Sequence, residues 1–197
     1  TAPPQDVGPL GLVRDLFATL DHFGVSTCVL AGESMGALTV LAAALEQPDR
    51  FAGLVIVDGV CETSGIPQDR SAVRDHYADY VTGFVNACVP EPDSEHIKRW
   101  GRQILMRADP EAAARMFESH DTPRLAPDLS QVTVPTLVIH GERDAIVPLE
   151  LGVATAKAIP HAQFVVIPGA GHVPTMTRPA QVVAAINAWA ASSTLDL

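Results

Sequence analysis

Near its start the chain carries the pentapeptide GESMG at positions 32–36. Its serine, Ser34, offers a hydroxyl that can attack an acyl carbon if a neighbouring base takes the proton. A strand-like apolar run at 27–31 leads directly into the pentapeptide, and a run of small apolar residues with helical character, 35–46, follows. Gly-x-Ser-x-Gly between a strand and a helix is the pattern of a nucleophile elbow. The pattern is too short to establish a nucleophile unaided, so the rest of the chain must supply a base and an acid.

The neighbours of Ser34 each receive a predicted role from this turn. We expect glycine to be required at both Gly32 and Gly36, because a Cβ at either position would meet nearby backbone. The backbone N–H of Met35 lies at the start of the helix, where the helix dipole favours negative charge. We predict that this N–H forms one half of an oxyanion hole. Glu33 is interpreted as a solvent-facing or hydrogen-bonded neighbour, not as a catalytic acid.

A base and an acid follow two later strand-like runs. The segment VIHGERDAIVP places Asp144 a few residues past the run at 136–140, and VVIPGAGHVP places His172 in a glycine-rich loop past the run at 163–167. The chain order of nucleophile, acid and histidine is the one that accompanies this kind of elbow. Because the carboxyl ends of parallel strands lie at one edge of a sheet, we expect the three side chains to converge there. Together with Ser34 they would form a Ser-His-Asp triad.

Other acidic and imidazole side chains offer alternatives. Asp58 ends the strand-like run at 53–58 and is the alternative acid; otherwise we expect it to satisfy loop amides. His140 lies inside a predicted strand and is interpreted as a packed, hydrogen-bonded residue. The seven histidines include no H-x-x-x-H pair and no cysteine partner, so we predict neither a metal site nor a cofactor.

Four runs rich in β-branched residues are candidate strands, at 27–31, 53–58, 136–140 and 163–167. None alternates apolar with polar residues, which is typical of strands covered on both faces in a parallel sheet. Helical patterns accompany them, at 10–23, 35–46, 149–158 and 179–190. This alternation predicts an α/β fold with a predominantly parallel sheet and flanking helices.

One long interval, 59–135, interrupts the alternation and is far longer than a crossover helix requires. It carries helical patterns at 70–85 and 94–107. Asp109, followed by proline, is predicted to cap a further helix. The interval is therefore predicted to be a helical insertion.

We accordingly divide the chain into two units. Residues 1–60 and 132–197 are predicted to form the α/β core, and residues 61–131 to form a helical cap insertion. An insertion at one point of such a sheet usually lies over the carboxyl ends of the strands, where ligands bind.

The composition is that of a globular chain of modest size. Its 197 residues are 47% hydrophobic, enough to bury one core. The formal net charge of −10 argues against nucleic acid or an anionic membrane as a partner, because both would repel the protein. The longest apolar run, 35–45, is far shorter than a membrane span. The three cysteines are too few and too scattered for a disulfide scaffold, and a reducing cytoplasm is the predicted location.

Together the motifs resemble those of the α/β-hydrolase superfamily. The similarity runs from the helix before the elbow to the C-terminus, through GESMG, VIVDG, GERDAIVP and GAGHVP. The resemblance implies Ser34 as nucleophile, His172 as general base and acid, and Asp144 as the partner of the histidine. It also implies a helical cap after the strand that ends in VIVDG, where the long interval lies.

The start of the chain departs from the family pattern. Members ordinarily begin with several more strands and with a loop, commonly starting His-Gly, that supplies the second oxyanion N–H. Residues 1–6, TAPPQD, resemble instead the linker that follows those strands. We therefore expect a longer parent chain that supplies the missing N-terminal half of the sheet; a separate partner segment that supplies it is the alternative.

The resulting hypothesis is a serine hydrolase that cleaves a carboxylic ester or a related small-molecule acyl compound through an acyl-enzyme. An acyltransferase, a C–C bond hydrolase and a perhydrolase are alternatives with the same triad, since no residue selects among them. A non-catalytic ligand-binding receptor on the same fold is the alternative from another class. Homo-oligomerisation is left open.

Overall fold

The computed structural model describes residues 9–59, 71–119 and 126–193. The strands within these residues are β1 (Cys28–Glu33), β2 (Phe51–Val57), β3 (Thr136–Gly141) and β4 (Gln163–Ile167). They form one parallel sheet in the order β1-β2-β3-β4. Glu33 pairs with Val57 at the ends of their strands, so the carboxyl ends of neighbouring strands lie together at one edge.

Helices connect the strands and flank the sheet. They are α1 (Pro9–His22), α2 (Gly36–Glu46), α3 (Ser71–Asp75), α4 (Tyr77–Cys88), α5 (Glu95–Leu105), α6 (Pro110–Ser119), α7 (Leu149–Ala158), α8 (Pro174–Thr177) and α9 (Pro179–Ser192). Short 3-10 helices occur at Pro48–Arg50 and Ala126–Gln131. None of the helices in the described part of the chain combines the length and the hydropathy that crossing a membrane requires.

Successive side chains of β2 point to opposite faces of the sheet and build two cores. Leu54 and Ile56 face the core formed with α1, α2 and α7. Val55 and Val57 face a second core, in which Trp189 of α9 is also buried. Full burial of such apolar side chains stabilises the fold by about 1.5–3 kcal/mol each. Burial of both faces also accounts for the unbroken apolar sequence of the two central strands, β2 and β3.

The predicted fold class, an α/β fold with a parallel sheet and flanking helices, is confirmed. Each candidate strand and each candidate core helix is present, with ends that differ from the predicted ones by at most two residues. The strand β1, for example, continues past its predicted end at Ala31 to Glu33. The reason is that its pairing with β2 persists as far as the elbow.

The described parts of the interval between β2 and β3 contain the helices α3, α4, α5 and α6 and the 3-10 helix Ala126–Gln131. Arg74 of α3 forms ion pairs with Glu111 and Glu118 of α6, at 2.8 and 2.6 Å. The hydroxyl of Tyr77 in α4 donates a hydrogen bond to the carbonyl of Leu105 in α5. These contacts between α3 and α6, and between α4 and α5, tie the insertion helices to one another.

Two local predictions for the insertion had different outcomes. The cap at Asp109 is confirmed, since its carboxylate accepts the N–H of Ala112 at 2.9 Å. The helical stretch predicted at 70–85 is interrupted at His76, whose extended φ of −138° separates α3 from α4. Cys61, the predicted start of the cap insertion, lies outside the described residues, so the bounds of that insertion stay a prediction.

Candidate active site

The turn after β1 holds Ser34 in a strained backbone conformation. Its φ of 53° lies in the left-handed region, which costs a non-glycine residue roughly 1–2 kcal/mol. The N–H of Ser34 donates to the carbonyl of Val57 at 2.9 Å, and its carbonyl accepts the N–H of Ala37 at 3.0 Å. The serine is therefore fixed between the sheet on one side and α2 on the other.

The two elbow glycines differ in their roles. A Cβ on Gly32 would lie 2.5 Å from the carbonyl oxygen of Gly36 and 2.6 Å from a methyl group of Val40, so glycine is required there, as expected. A Cβ on Gly36 would meet no atom within 4 Å beyond its chain neighbours and its own helix backbone. The steric role predicted for Gly36 is therefore not seen. Gly36 is the first residue of α2, and its carbonyl is the group that approaches Gly32 closely. The absence of a side chain on Gly36 itself is not needed for this contact.

The loop after β3 presents Asp144 with one carboxylate oxygen already occupied. Its Oδ1 accepts the N–H groups of Ile146 and Val147 at 2.8 and 2.9 Å. The side chain of Asp144 is buried. These bonds orient the carboxylate, and its other oxygen, Oδ2, is directed at His172.

His172 connects the acid to the serine. Its Nδ1 lies 2.7 Å from Oδ2 of Asp144, and its Nε2 lies 2.8 Å from Oγ of Ser34. Because a carboxylate only accepts hydrogen bonds, Nδ1 carries the proton, and Nε2 accepts the hydrogen bond of the Ser34 hydroxyl. Both distances are within the range expected of a nucleophile, a base and the group that orients the base. The structure thus brings the three predicted residues into one hydrogen-bonded chain.

Met35 lies between Ser34 and the first turn of α2. It is the N-cap residue of that helix, with φ −57° and ψ −28°. The N–H of an N-cap residue has no acceptor in its own helix, and a helix N-terminus favours negative charge. This position suits the predicted oxyanion donor, whose role stays a prediction.

Asp58 makes a different contact from the one an alternative acid would need. It directly follows β2, with φ 46°, is fully buried, and accepts the N–H of Gly141 at 2.7 Å through Oδ1. It therefore satisfies a backbone amide, the second of the two roles considered for it, while Nδ1 of His172 bonds to Asp144. Burial, helped by the negative charges of Asp144 and Glu33, raises the pKa of Asp58 to about 9 against the opposing effect of the Gly141 hydrogen bond. At neutral pH Asp58 is a neutral carboxylic acid.

We expect the free energy of unfolding to fall as the pH rises from neutral to about 9, and to fall less in Asp58→Asn. The unfolded chain loses the Asp58 proton near pH 3.9, whereas the native protein keeps it up to about pH 9. Between these values the native state binds the extra proton, so stability decreases with pH, by at most about 1.4 kcal/mol per unit. Above the native pKa the loss levels off. Urea unfolding of both proteins across this range checks the prediction, and identical pH slopes would contradict it.

His140 is the packed, hydrogen-bonded residue that its sequence position predicts. It is fully buried, and α7 approaches so closely that a Cβ on Gly152 would overlap the imidazole ring. Burial lowers the pKa of His140, so the ring is neutral, and its Nε2–H donates to the carbonyl of Val147 at 2.9 Å. His140 therefore supports the loop that orients Asp144, a role that sequence reasoning missed.

Atoms of metal-ligand type also meet at this site. Asp58, Asp144 and His172 each offer one such atom, and the three atoms lie within 4.8 Å of one another. His172 and Asp144 are hydrogen-bonded to each other, however, and Oδ1 of Asp58 is bonded to Gly141. This arrangement fits a hydrogen-bonded triad with a neighbouring acid better than an open cation site. The absence of a metal or cofactor stays a prediction.

The insertion contacts the loop that carries His172. The carbonyl of Cys88, at the end of α4, accepts the N–H of His172 at 2.9 Å. The buried carboxylate of Glu91 accepts the N–H of Gly171, also at 2.9 Å. Sequence reasoning missed both contacts. Glu91 stands in a proline-rich acidic stretch, VPEPD, that is indistinguishable by sequence from a solvated loop.

Glu33 is a hydrogen-bonded neighbour of the elbow. Its Oε1 accepts the hydroxyl of Thr175 at 2.7 Å, which joins the elbow to α8 just after His172. Burial raises the pKa of Glu33, and the Thr175 hydrogen bond and the nearby His172 oppose that change. The contact favours one of the two interpretations offered for Glu33 from sequence.

A surface depression lies far from these residues. Val134, Thr136, Gln163 and Trp189 contribute to its lining. Thr136 and Gln163 begin β3 and β4, so the depression is at the amino ends of the strands, opposite the edge that carries the triad. It has no contact with the candidate active site.

Comparison with known proteins decides the family. The model of the alpha/beta hydrolase family matches residues 1–186, nearly the whole chain. The chain belongs to the alpha/beta hydrolase family. The resemblance drawn from the four sequence motifs is thereby confirmed.

The relatives of this alpha/beta hydrolase include both a receptor and esterases. Karrikin insensitive 2 receptor IA of Petunia hybrida is 26% identical over 183 residues, which cover 86% of this chain and 66% of the receptor. Pimeloyl-[acyl-carrier protein] methyl ester esterase of Nitrosomonas europaea is 26% identical over 175 residues, covering 81% and 69% of the two chains. A solved thermophilic esterase from Thermogutta terrifontis, with malate bound, is 30% identical with a TM-score of 0.79, covering 94% of this chain and 73% of that one. The chain spans slightly less than two thirds of the receptor's length.

Proposed function

We propose that the protein is a serine hydrolase that cleaves a carboxylic ester or a related small-molecule acyl compound through an acyl-enzyme. The observation that carries the proposal is the hydrogen-bonded chain from Ser34 through His172 to Asp144. A serine hydroxyl is a weak nucleophile until a base within hydrogen-bond reach takes its proton. The esterases among the relatives support the same class of reaction.

Acylation begins when Oγ of Ser34 attacks the carbonyl carbon of the ester and the hydroxyl proton moves to Nε2 of His172. The new C–O bond displaces the carbonyl electron pair onto oxygen and produces a tetrahedral oxyanion. The N–H of Met35 donates a hydrogen bond to that oxyanion. Asp144 stabilises the imidazolium through Nδ1–H without taking the proton itself. The imidazolium then protonates the leaving alcohol as the ester C–O bond breaks, and the acyl group remains on Ser34.

Deacylation reverses these roles with water as the nucleophile. Nε2 of His172 removes a proton from water as the water oxygen attacks the acyl carbon, and a second tetrahedral oxyanion forms at the same place. Its collapse breaks the bond to Oγ of Ser34, which regains its proton from His172. The carboxylic acid leaves, and the starting protonation state is restored.

The helical insertion is proposed to act as the cap of this site. Its described residues Cys88 and Glu91 contact the loop of His172, which supports a cap at 61–131 over the carboxyl ends of the strands. Substrate specificity would then reside mainly in the insertion. A cytoplasmic location, and the exclusion of nucleic acid and anionic membrane as partners, are proposed from the composition alone.

A fluorophosphonate probe is expected to label the full-length protein at Ser34. The serine oxygen attacks phosphorus, fluoride leaves, and His172 takes the hydroxyl proton, so labelling needs the activated serine and no knowledge of the substrate. Peptide mass spectrometry locates the adduct, and Ser34→Ala is the matched control that should stay unlabelled. A folded wild-type protein with an unreactive Ser34 would contradict the hydrolase proposal.

A ligand-binding receptor is the second candidate, because a receptor is among the relatives at 26% identity. Turnover separates the two functions. A hydrolase releases more than one equivalent of product per protein from an activated ester. A receptor would show a saturable thermal shift with its ligand, without comparable turnover.

A further inference from the structure

The loop that carries His172 is held by the insertion as well as by the sheet. The carbonyl of Cys88 accepts the N–H of His172, and Oε1 of Glu91 accepts the N–H of Gly171, both at 2.9 Å. A Cβ on Gly171 would lie 2.5 Å from the Cys88 carbonyl oxygen and would overlap the ring of Pro90. The two backbone segments therefore meet with no room for a side chain between them.

A carboxylate is energetically unfavourable at the buried position of Glu91. It is 2% exposed, and its second oxygen, Oε2, is buried without a hydrogen-bond partner among the described residues. Burial removes the hydration of a carboxylate, which an apolar side chain of the same size would not lose. The hydrogen bond from Gly171 is thus the specific interaction that an apolar replacement at this position would lack.

We propose that Glu91 is a positioning residue for His172, through which the insertion sets the distance between the base and Ser34. Gly171 directly precedes His172, so the acceptor on Glu91 fixes the backbone from which the imidazole extends. The ring must reach Ser34 and Asp144 at once, at 2.8 and 2.7 Å, and a backbone shift would lengthen one contact or both. A misplacement of about 1 Å lowers a reaction rate about 100-fold.

This inference rests on the proposed function, because it assigns Glu91 to the support of the base in that reaction. The inference also goes beyond the proposed function. Glu91 follows α4, so the position of the insertion and the position of the catalytic imidazole are coupled through this carboxylate oxygen as well as through the Cys88 carbonyl.

Glu91→Gln and Glu91→Met form a matched pair for the test. Both side chains are uncharged and similar in size, but only glutamine keeps an oxygen that can accept the Gly171 N–H. In the full-length protein we expect Glu91→Met to lower kcat for an activated ester about 10- to 100-fold with KM little changed. Glu91→Gln should restore most of the rate. A role limited to filling space would affect the two variants equally.

A proton NMR measurement gives a readout that does not require turnover. The Nδ1 proton of His172, bonded to Asp144, should give a strongly downfield signal in the wild-type protein and in Glu91→Gln. In Glu91→Met the signal should shift or broaden. If the wild-type protein shows no turnover but the signal responds in this way, the hydrolase proposal fails while the positioning role stands.

Ser94→Ala is the control for disturbance of the same segment. Ser94 is buried, and its hydroxyl contacts the carbonyl of Pro92 at 3.5 Å, so the variant should keep the wild-type kcat.

The inference is overturned if Glu91→Met retains both the wild-type kcat and the wild-type signal. If Glu91→Met does not fold, amide hydrogen exchange in the wild-type protein decides. The Gly171 and His172 amides should exchange as slowly as that of Val89, which follows α4 and donates its N–H to the carbonyl of Val85. Rapid exchange would refute the inference.

Discussion

Replacing Ser34 with alanine in the full-length protein is expected to lower kcat for an activated ester by about 10⁶-fold. Nε2 of His172 lies 2.8 Å from Oγ of Ser34. Alanine has no such oxygen, so the imidazole has no nucleophile to activate. The fold should not suffer, since the elbow is held by backbone hydrogen bonds to Val57 and Ala37 that alanine retains. Steady-state kinetics with a chromogenic ester, together with a thermal melt, measures both effects.

Ser26→Ala is the matched control for the loss of a serine hydroxyl. Ser26 is exposed and precedes β1, and its backbone carbonyl, which the mutation keeps, accepts a hydrogen bond from Arg50. This variant should retain the wild-type rate. Parental turnover in Ser34→Ala would rule out Ser34 as the nucleophile and with it the acyl-enzyme mechanism.

Asp144→Asn is expected to lower kcat about 10⁴-fold. The asparagine Oδ1 would continue to accept the N–H groups of Ile146 and Val147, so its amide NH₂ must face Nδ1 of His172. Two donors cannot share one hydrogen bond, and the imidazole would therefore move its proton from Nδ1 to Nε2. A protonated Nε2 cannot accept the proton of Ser34. The loss should appear in kcat with a nearly unchanged melting temperature.

Asp58→Asn is the control that separates the two candidate acids. Asp58 is neutral at pH 7, because burial raises its pKa to about 9, and asparagine copies a neutral carboxyl group while keeping an acceptor for the Gly141 N–H. We expect its kcat to stay within about tenfold of the wild-type value, against about 10⁴-fold for Asp144→Asn. The reverse order of the two effects would make Asp58 the catalytic acid. Kinetics of both variants at pH 7, on the same ester, makes the comparison.

The candidate triad could be predicted because each member has a local sequence context of its own. Ser34 lies between a strand pattern and a helix pattern, and Asp144 and His172 each follow an apolar run. Parallel strands covered on both faces place the ends of such runs at one edge of the sheet. Periodicity and chain order were therefore sufficient to expect that the three side chains meet.

The sequence favoured Asp144 as the catalytic acid but left Asp58 open as the alternative. Both residues stand at the end of, or just after, a β-branched run, and both lie between Ser34 and His172 in chain order. Two features of the folded chain separate their environments. The N–H groups of Ile146 and Val147 orient the carboxylate of Asp144 so that its Oδ2 meets Nδ1 of His172, whereas Asp58 accepts the N–H of Gly141. Such hydrogen-bond partners depend on how the loops pack around a carboxyl group, which a strand pattern does not specify.

The amino-acid sequence by itself determined the fold class, the elbow and the identities of the candidate triad, because these depend on residue type, periodicity and order along the chain. Only the tertiary structure decided that Glu91 contacts the loop of His172, that His140 supports the loop of Asp144, and that Gly36 has no steric role. The Glu91 contact joins segments 80 residues apart, and the other two features depend on how neighbouring elements and loops pack. The physical reason is that burial and hydrogen-bond geometry arise only when the helices and the sheet have packed together.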